Sequence, residues 1–313
     1  MGEEVCRLAV DIGGTFTDVV LWSTEGQTTA KVLTTAQAPE QGVLTAVHQV
    51  LNKTGRLLSD VSLMIHGTTL ATNALIERKG AITAFLTSDG FRDILEMGYE
   101  KRFAHYDLNA ARAAPLVPRP LRYTVPERMT ADGRVHVPLD QGAVRKVARL
   151  MSKASVEAIA VGFIHAYAYI QHEQMAAEIL QAELPGVRIC LSSDVCPEMR
   201  EYERFSTTCA NAYVQPLMAG YLDRLSNLLT HEGLHSPLYL MMSGGGLTTL
   251  DQAVRYPVRL IESGPAGGAL MSARLASARK LDNVLSFDMG GTTAKISLIQ
   301  NGQPDRSATF EVA

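Results

Sequence analysis

Two short segments of this chain combine residue types suited to holding phosphate. Asp11-Ile12-Gly13-Gly14-Thr15 and Asp288-Met289-Gly290-Gly291-Thr292 share the pattern D-x-G-G-T, and Asp288 follows Asp11 by 277 residues (288 less 11). Each copy ends an apolar strand and opens a second strand of alternating apolar residues, LAVDIGGTFTDVVLW in the first and LSFDMGGTTAKISLI in the second. Glycines at Gly13, Gly14, Gly290 and Gly291 allow positive φ and close backbone approach. Successive N–H groups in such a turn make an anion nest. The hydroxyls of Thr15, Thr17, Thr292 and Thr293 can donate to phosphate oxygens. Asp11 and Asp288, at strand ends, can hold Mg2+ through water. One D-x-G-G-T is also compatible with an ordinary tight turn. Two copies in repeated strand contexts argue for two hairpins gripping one phosphate chain. Neither copy is a Walker A loop, and no G-x-G-x-x-G opens a helix.

Other residues extend the candidate site. Asp18 can orient the first hairpin or help hold metal, and Lys295, at the equivalent place in the second copy, can reach a phosphate. His66, Thr68, Thr69 and Asn73 stand where a strand, a Gly-Thr-Thr turn and a helix meet. They either line a cleft beside substrate or γ-phosphate, or form a helix entry with His66 bonded to backbone. Gly244, Gly245 and Gly246 end an apolar strand and suit either a plain loop or backbone approach to a nucleotide. Glu262-Ser263-Gly264-Pro265-Ala266-Gly267-Gly268 precedes a helix, which can receive an anion at its N-terminus or use the glycines for close packing. Arg200, Glu201, Glu203 and Arg204 suit an exposed ion-paired helix face. No G-x-S-x-G elbow occurs. Of the four cysteines, none forms C-x-x-C, and Cys190 and Cys209 read as small core residues.

The elements that must carry these residues alternate β-β-β-α-β-α-β over roughly the first 90 positions. CRLAVDIGG, TDVVLWS and TTAKVLTT form a meander, and EQGVLTAVHQVLNKTG a helix ending at Gly55. VSLMIHGTT, LATNALIERKG and AITAFLTS follow as strand, helix and strand. PLVPRPLRYTVPERM is Pro- and Arg-rich and reads as extended connections. LDQGAVRKVARLMSK, VEAIAVGFIH, HEQMAAEILQAELPG and VRICLSS resume the alternation. A long helix from MREYERF is expected to bend at Pro216. PLYLMM is a strand, VRLIES a short strand before a Gly-rich turn and helix, and NVLSFDMGGTTAKISLIQ a hairpin. Three domains are expected: 1–90 with the first phosphate hairpin, 91–198 as an inserted α/β subdomain, and 199–313 as an incomplete domain with the second hairpin.

The chain's 313 residues are 46% hydrophobic and 19% charged, with net charge −3. These values fit a globular α/β protein and exclude disorder, collagen or coiled coil. They give no basic footprint for nucleic acid. No apolar run reaches the roughly 20 residues that span a bilayer. The acidic N-terminus is unlike a signal peptide, and Cys6 stands where a myristoylation motif has Ser or Thr. With reduced cysteines, the expected location is cytoplasmic.

The paired hairpins resemble the actin/hexokinase/Hsp70 ATPase superfamily, whose two related domains enclose Mg-ATP. DIGGTFTDVV, HGTTLATNALIERKG, REYERFSTT with NAY, SGGG, ESGPAGG and FDMGGTTAK, in that order, narrow this to a resemblance to the hydantoinase A/5-oxoprolinase (HyuA-type) family. The resemblance implies an α/β, actin-like (ribonuclease H-like) ATPase fold of two related domains with mixed sheets, the second truncated here, since family members run about twice this length. It implies ATP and Mg2+ as cofactors, with Asp11, Asp288 and His66 as catalytic candidates. Gly13, Gly14, Thr15, Thr17, Asp18, Gly244–Gly246, Gly290, Gly291, Thr292, Thr293 and Lys295 would bind the cofactor, and Thr68, Thr69 and Asn73 the substrate. The implied activity is ATP-dependent hydrolysis of a cyclic amide, with a HyuB-type subunit as partner and a second chain completing the distal domain. A ketone carboxylase subunit, or an inactive binding module, are the alternatives. A sugar kinase shares D-I-G-G-T but carries a cysteine-rich zinc motif that this chain lacks.

Overall fold

The computed structural model describes the chain apart from residues 1–4, 36, 100–105, 108, 110–113, 290–293, 308 and 310–313. The chain divides into two compact units: Met1–Ile76 with Met218–Val312, and Glu77–Leu217. Residues 77–90, grouped above with the first phosphate hairpin, therefore pack with the following segment, and so do residues 199–217.

The first unit opens with the expected meander, β1 (Arg7–Ile12), β2 (Phe16–Ser23) and β3 (Gly26–Leu33). Its apolar residues alternate, so one face is continuous hydrocarbon: Leu8, Val10, Ile12, Val19 and Leu21 are buried. Helix α1 (Pro39–Thr54) covers that face with Val43, Ala46, Val47, Val50 and Leu51. Pro39 pre-sets the first turn, and Gly55 at φ 65° closes the last by donating its N–H to the Leu51 carbonyl. β4 (Leu63–Thr68) then pairs parallel to β1, and α2 (Leu70–Ile76) follows at once.

The second unit is built on β5 (Thr83–Ser88), α3 (Ile94–Met97), β6 (Arg122–Val125), β7 (Arg128–Met129), β8 (Val135–Val137), α4 (Gln141–Lys153), β9 (Ala158–Gly162), α5 (Gln171–Glu183), β10 (Arg188–Leu191) and α6 (Ser192–Val195). Its main sheet is all parallel in the order β10-β9-β5-β6. β5 and β9 are buried along their whole length, as a sheet covered on both faces requires. The Pro- and Arg-rich stretch read as connections contributes β6 and β7. Short edge strands flanked by prolines carry little periodic signal. Helix α7 (Glu201–His231) runs on through Pro216, and its residues from Met218 belong to the first unit.

The first unit resumes with β11 (Leu238–Met241), β12 (Leu247–Thr249), α8 (Leu250–Arg255), α9 (Ser263–Ala278), β13 (Asn283–Met289), β14 (Ala294–Gln300) and β15 (Gln303–Pro304). Its large sheet has the order β12-β11-β4-β1-β2-β3, with β1, β4 and β11 parallel and β2 antiparallel. A meander continued by parallel strands is the ribonuclease H-like arrangement of an actin-like fold. VRLIES is not a strand: Pro257–Leu260 forms a 3-10 turn, and α9 starts at Ser263 and includes Gly264, Gly267 and Gly268. Gly267 lets the helix approach the strand, since a Cβ there would lie 3.1 Å from the Met241 sulfur. No helix among the described residues is long and apolar enough to cross a membrane.

Candidate functional site

The carboxyl ends of β1, β4 and β11 lie at one edge of the first unit's sheet, where ligands of open α/β sheets bind. The Gly13-Gly14 turn leaves β1 there, the Gly67–Thr69 segment ends β4, and the Ser243–Gly246 loop leaves β11.

Strand parity sorts the candidates. Asp11 pairs in register with Asp18 on β2 and with Gly67 on β4, and Asp18 pairs with Lys31 on β3. These four share one sheet face. Lys31 Nζ donates to both Asp18 carboxylate oxygens at 3.0 Å. A Cβ on Gly67 would lie 2.7 Å from Asp11 Oδ1, so this glycine makes room for the carboxylate. Asp11 keeps one side open to solvent while protein crowds the others. That crowding raises its pKa, as do the nearby carboxylates of Asp18 and Asp288; Lys31 acts in the opposite sense. The second hairpin therefore brings Asp288 within electrostatic reach of Asp11.

His66 and Thr68 belong to the other face and are buried. His66 was a catalytic candidate, and the structure corrects this. Its Nδ1 lies 3.4 Å from the Val10 carbonyl and its Nε2 2.8 Å from the Tyr221 hydroxyl. Nδ1–H donates to the carbonyl, and Nε2 then accepts from Tyr221. Burial drives its pKa down to about 4, so the ring is neutral at pH 7. Thr68 caps the start of α2 by accepting from Leu70 N at 3.2 Å, which removes it from the substrate set. Thr17 is also buried and bonds Thr34 Oγ1 at 3.1 Å, so it ties the strand ends together and does not face a phosphate.

Gly13 and Gly14 are not at positive φ, contrary to the nest expectation. Gly13 serves close approach, since a Cβ there would stand 3.1 Å from the Phe16 carbonyl, whereas one on Gly14 would meet Asn73 Nδ2 at an ordinary 3.5 Å. The turn is held by Gly13 N–H donating to Phe16 O at 2.9 Å and Thr34 Oγ1 donating to Gly13 O at 3.0 Å. Thr15 is exposed at its tip. Thr69 anchors the neighbouring corner, its N–H and Oγ1 both donating to Ile12 O at 3.0 Å. Asn73, one helical turn on, donates to Thr69 Oγ1 at 3.4 Å. Asp11, Gly14, Thr69 and Asn73 thus gather at one corner.

The β13–β14 hairpin repeats the first. Asp288 pairs in register with Lys295 as Asp11 does with Asp18. Lys295 makes an ion pair with Glu262, which sits at φ 63° immediately before α9. Glu262 N–H donates to Thr72 Oγ1 at 3.1 Å and Ser263 Oγ to Thr68 O at 3.4 Å, tying the start of α9 to α2 and to the end of β4. Gly290, Gly291, Thr292 and Thr293 lie outside the described residues. In the β11 loop, Gly245 needs its φ of +80°, and a Cβ there would meet Leu270 at 2.8 Å; Gly244 and Gly246 flank it. Sequence patterns did not point to Thr34, Tyr221 or Thr72. Their roles come from partners far along the chain, and no local spacing marks them.

Residues 7–184 match the family described as hydantoinase/oxoprolinase N-terminal region, and residues 204–313 match hydantoinase/oxoprolinase. The chain belongs to the hydantoinase/oxoprolinase family. It is 36% identical to an uncharacterized protein of Methanocaldococcus jannaschii over 98% of this chain and 45% of that one. It is 34% identical to the caprolactamase alpha subunit of Pseudomonas jessenii, again over 98% of this chain and 45% of the relative. The crystal structure of that ATP-dependent caprolactamase matches with TM-score 0.84, covering 93% of this chain and 43% of the other. The nucleotide-free structure of acetone carboxylase matches with TM-score 0.87 at 26% identity, covering 97% and 46%. The chain spans about half the length of these relatives.

Proposed function

We propose that this chain supplies the phosphate-gripping part of an ATP-dependent cyclic-amide hydrolase of the hydantoinase/5-oxoprolinase type. The observation that carries the proposal is the duplicated hairpin, with Asp11 and Asp288 at equivalent register positions and close enough to raise the pKa of Asp11. The similarity to an ATP-dependent caprolactamase supports it. Carboxylates that repel one another fit a divalent cation, so Asp11 and Asp288 would hold Mg2+, directly or through water. The ion would supply neutralisation of phosphate charge. Around it, the Gly13-Gly14 backbone and Thr15 offer donors, Asn73 sits beside Gly14, and Lys31 restrains Asp18. His66 and Tyr221 hold β4 in register from the far face.

In the proposed reaction, the γ-phosphoryl group passes to the amide oxygen with ADP leaving, water adds to the activated carbon, the C–N bond breaks with the nitrogen taking a proton to open the ring as an acyl phosphate, and a second water releases phosphate from the new carboxylate. Positioning and charge stabilisation carry most of such a transfer. A HyuB-type subunit is the proposed partner for the hydrolytic step, and the cytoplasm is the proposed location. A second reading, a subunit of an ATP-dependent ketone carboxylase, is favoured by the acetone carboxylase likeness.

Calorimetric titration of the chain with Mg-ATP tests the nucleotide site. Asp11→Asn and Asp288→Asn should each weaken binding at least tenfold while unfolding free energy stays within about 0.5 kcal/mol. Unchanged affinity in both variants would sink the two-hairpin site. With the partner subunit added, phosphate release driven by cyclic amides supports the hydrolase, and release driven by ketone plus bicarbonate supports the carboxylase.

A further inference from the structure

The two hairpins carry opposite charges at one equivalent position. Opposite Asp11 stands Asp18, and opposite Asp288 stands Lys295. Directly opposed residues of an antiparallel pair share a face, so Lys295 lies on the face of Asp288, whose charge reaches Asp11. Asp18 is held by Lys31, its in-register neighbour in the same sheet, through both carboxylate oxygens. Lys295 is held from outside its hairpin, by Glu262. Glu262 adopts φ 63°, a left-handed conformation that is strained for a residue other than glycine and persists where the surroundings impose it. Here the surroundings are the elements beside Asp11. Glu262 N–H is bonded to Thr72 on α2, and the next residue, Ser263, to the end of β4. The Glu262 backbone is thus fixed next to the first hairpin while its carboxylate reaches the second.

We propose that Glu262 is a positioning residue that holds Lys295 ready and yields it to the phosphate chain when Mg-ATP binds. The proposal rests on the two-hairpin reading of the nucleotide site given above. By holding Lys295, Glu262 keeps it from pairing with Asp288 directly opposite, so both carboxylates, Asp11 and Asp288, stay uncommitted for the metal. Three features suit the exchange. The pair is partly exposed, Lys295 at 26% and Glu262 at 17%, so water screens it and it is weak. A single carboxylate competes with phosphate oxygens that carry more charge and bind lysine as a point charge. The Glu262 carboxylate left behind remains favourably placed, because it precedes the 16-residue α9, where the helix dipole favours negative charge.

The test compares the wild-type chain with Glu262→Gln, Glu262→Gly, Lys295→Met and the Glu262→Gln, Lys295→Met double variant. Glu262→Gly suits the left-handed φ, so it removes the carboxylate and relieves the strain together. Without nucleotide, acetic anhydride labelling read by mass spectrometry should modify Lys295 several-fold faster in Glu262→Gln than in the wild-type chain. In calorimetric titration with Mg-ATP, Glu262→Gln and Glu262→Gly should each bind about fivefold more tightly, Lys295→Met about fivefold more weakly, and Glu262→Gln should add nothing in the Lys295→Met background. Three results would overturn the proposal alone: unchanged Lys295 labelling in Glu262→Gln, wild-type binding that both Glu262 variants leave unchanged or weaken, or a gain that persists with Lys295→Met, which makes Glu262 a general charge effect. No Mg-ATP binding by the wild-type chain would overturn the two-hairpin reading itself and this proposal with it.

Discussion

His66 shows how a chemically suggestive residue becomes a structural one. It lies on the buried face of β4, opposite the face that carries Asp11, and accepts from Tyr221. Its folded pKa of about 4 lies below the unfolded value near 6.5, so protons bind preferentially to the unfolded chain between these limits. The stability this group contributes is complete above pH 6.5 and is lost as pH falls toward 4, by up to roughly 3 kcal/mol. Denaturant titrations from pH 7.5 to 4 should show that slope, and His66→Gln should flatten it. Tyr221→Phe leaves Nε2 without its donor and should cost about 1–3 kcal/mol at pH 7. Gly67, one residue along, bears on the opposite face. Gly67→Ala pushes against Asp11 Oδ1, so it should lower Mg-ATP affinity several-fold while stability changes by less than about 1 kcal/mol. Wild-type affinity in this variant would separate the glycine from the carboxylate's placement.

Among the elements, β9 and the first half of α7 meet through a missing side chain. A Cβ on Gly162 would collide with the Phe205 ring, which is itself buried and 5.3 Å from the Phe85 ring. A fully buried ring has nowhere to retreat, so Gly162→Ala should destabilise by about 1–3 kcal/mol. Adding Phe205→Leu should return part of that loss, a coupling that thermal unfolding of the two single variants and the double variant would measure. The hydrophobic residues of the long helix are not confined to one stripe, and its residues up to Leu217 belong to one unit and those from Met218 to the other.

At the scale of the whole chain, the duplicated meander allows a matched comparison. Leu21 and Leu298 occupy equivalent register positions, but Leu21 is 1% exposed and Leu298 50%. Leu21→Ala should cost about 2–5 kcal/mol by opening a cavity under α1. Leu298→Ala should change stability by less than about 0.5 kcal/mol. Equal losses would mean that Leu298 is covered in solution, and an assembly state measured alongside would show by what.

Much of the site was legible in the sequence because its signals are local. The first D-x-G-G-T turn, the Gly55 stop, the meander and the strand before Gly244 all depend on short-range spacing and turn chemistry, and the structure has them where the spacing put them. The Asp18-to-Lys295 equivalence was visible for the same reason, as a shift of one repeat. What tertiary structure decided was which face each residue occupies and what it meets there. Parity relative to Asp11 sent His66, Thr68 and Thr17 into the core, and this depends on the β1–β4 and β2–β3 registers, which no single strand contains. The apolar-rich run at Pro257–Leu260 reads as a strand yet forms a short turn, because four residues carry no period. Asp11 and Asp288 stand 277 positions apart, and only folding brings their charges together, because like charges this close raise a pKa through space and not along the chain.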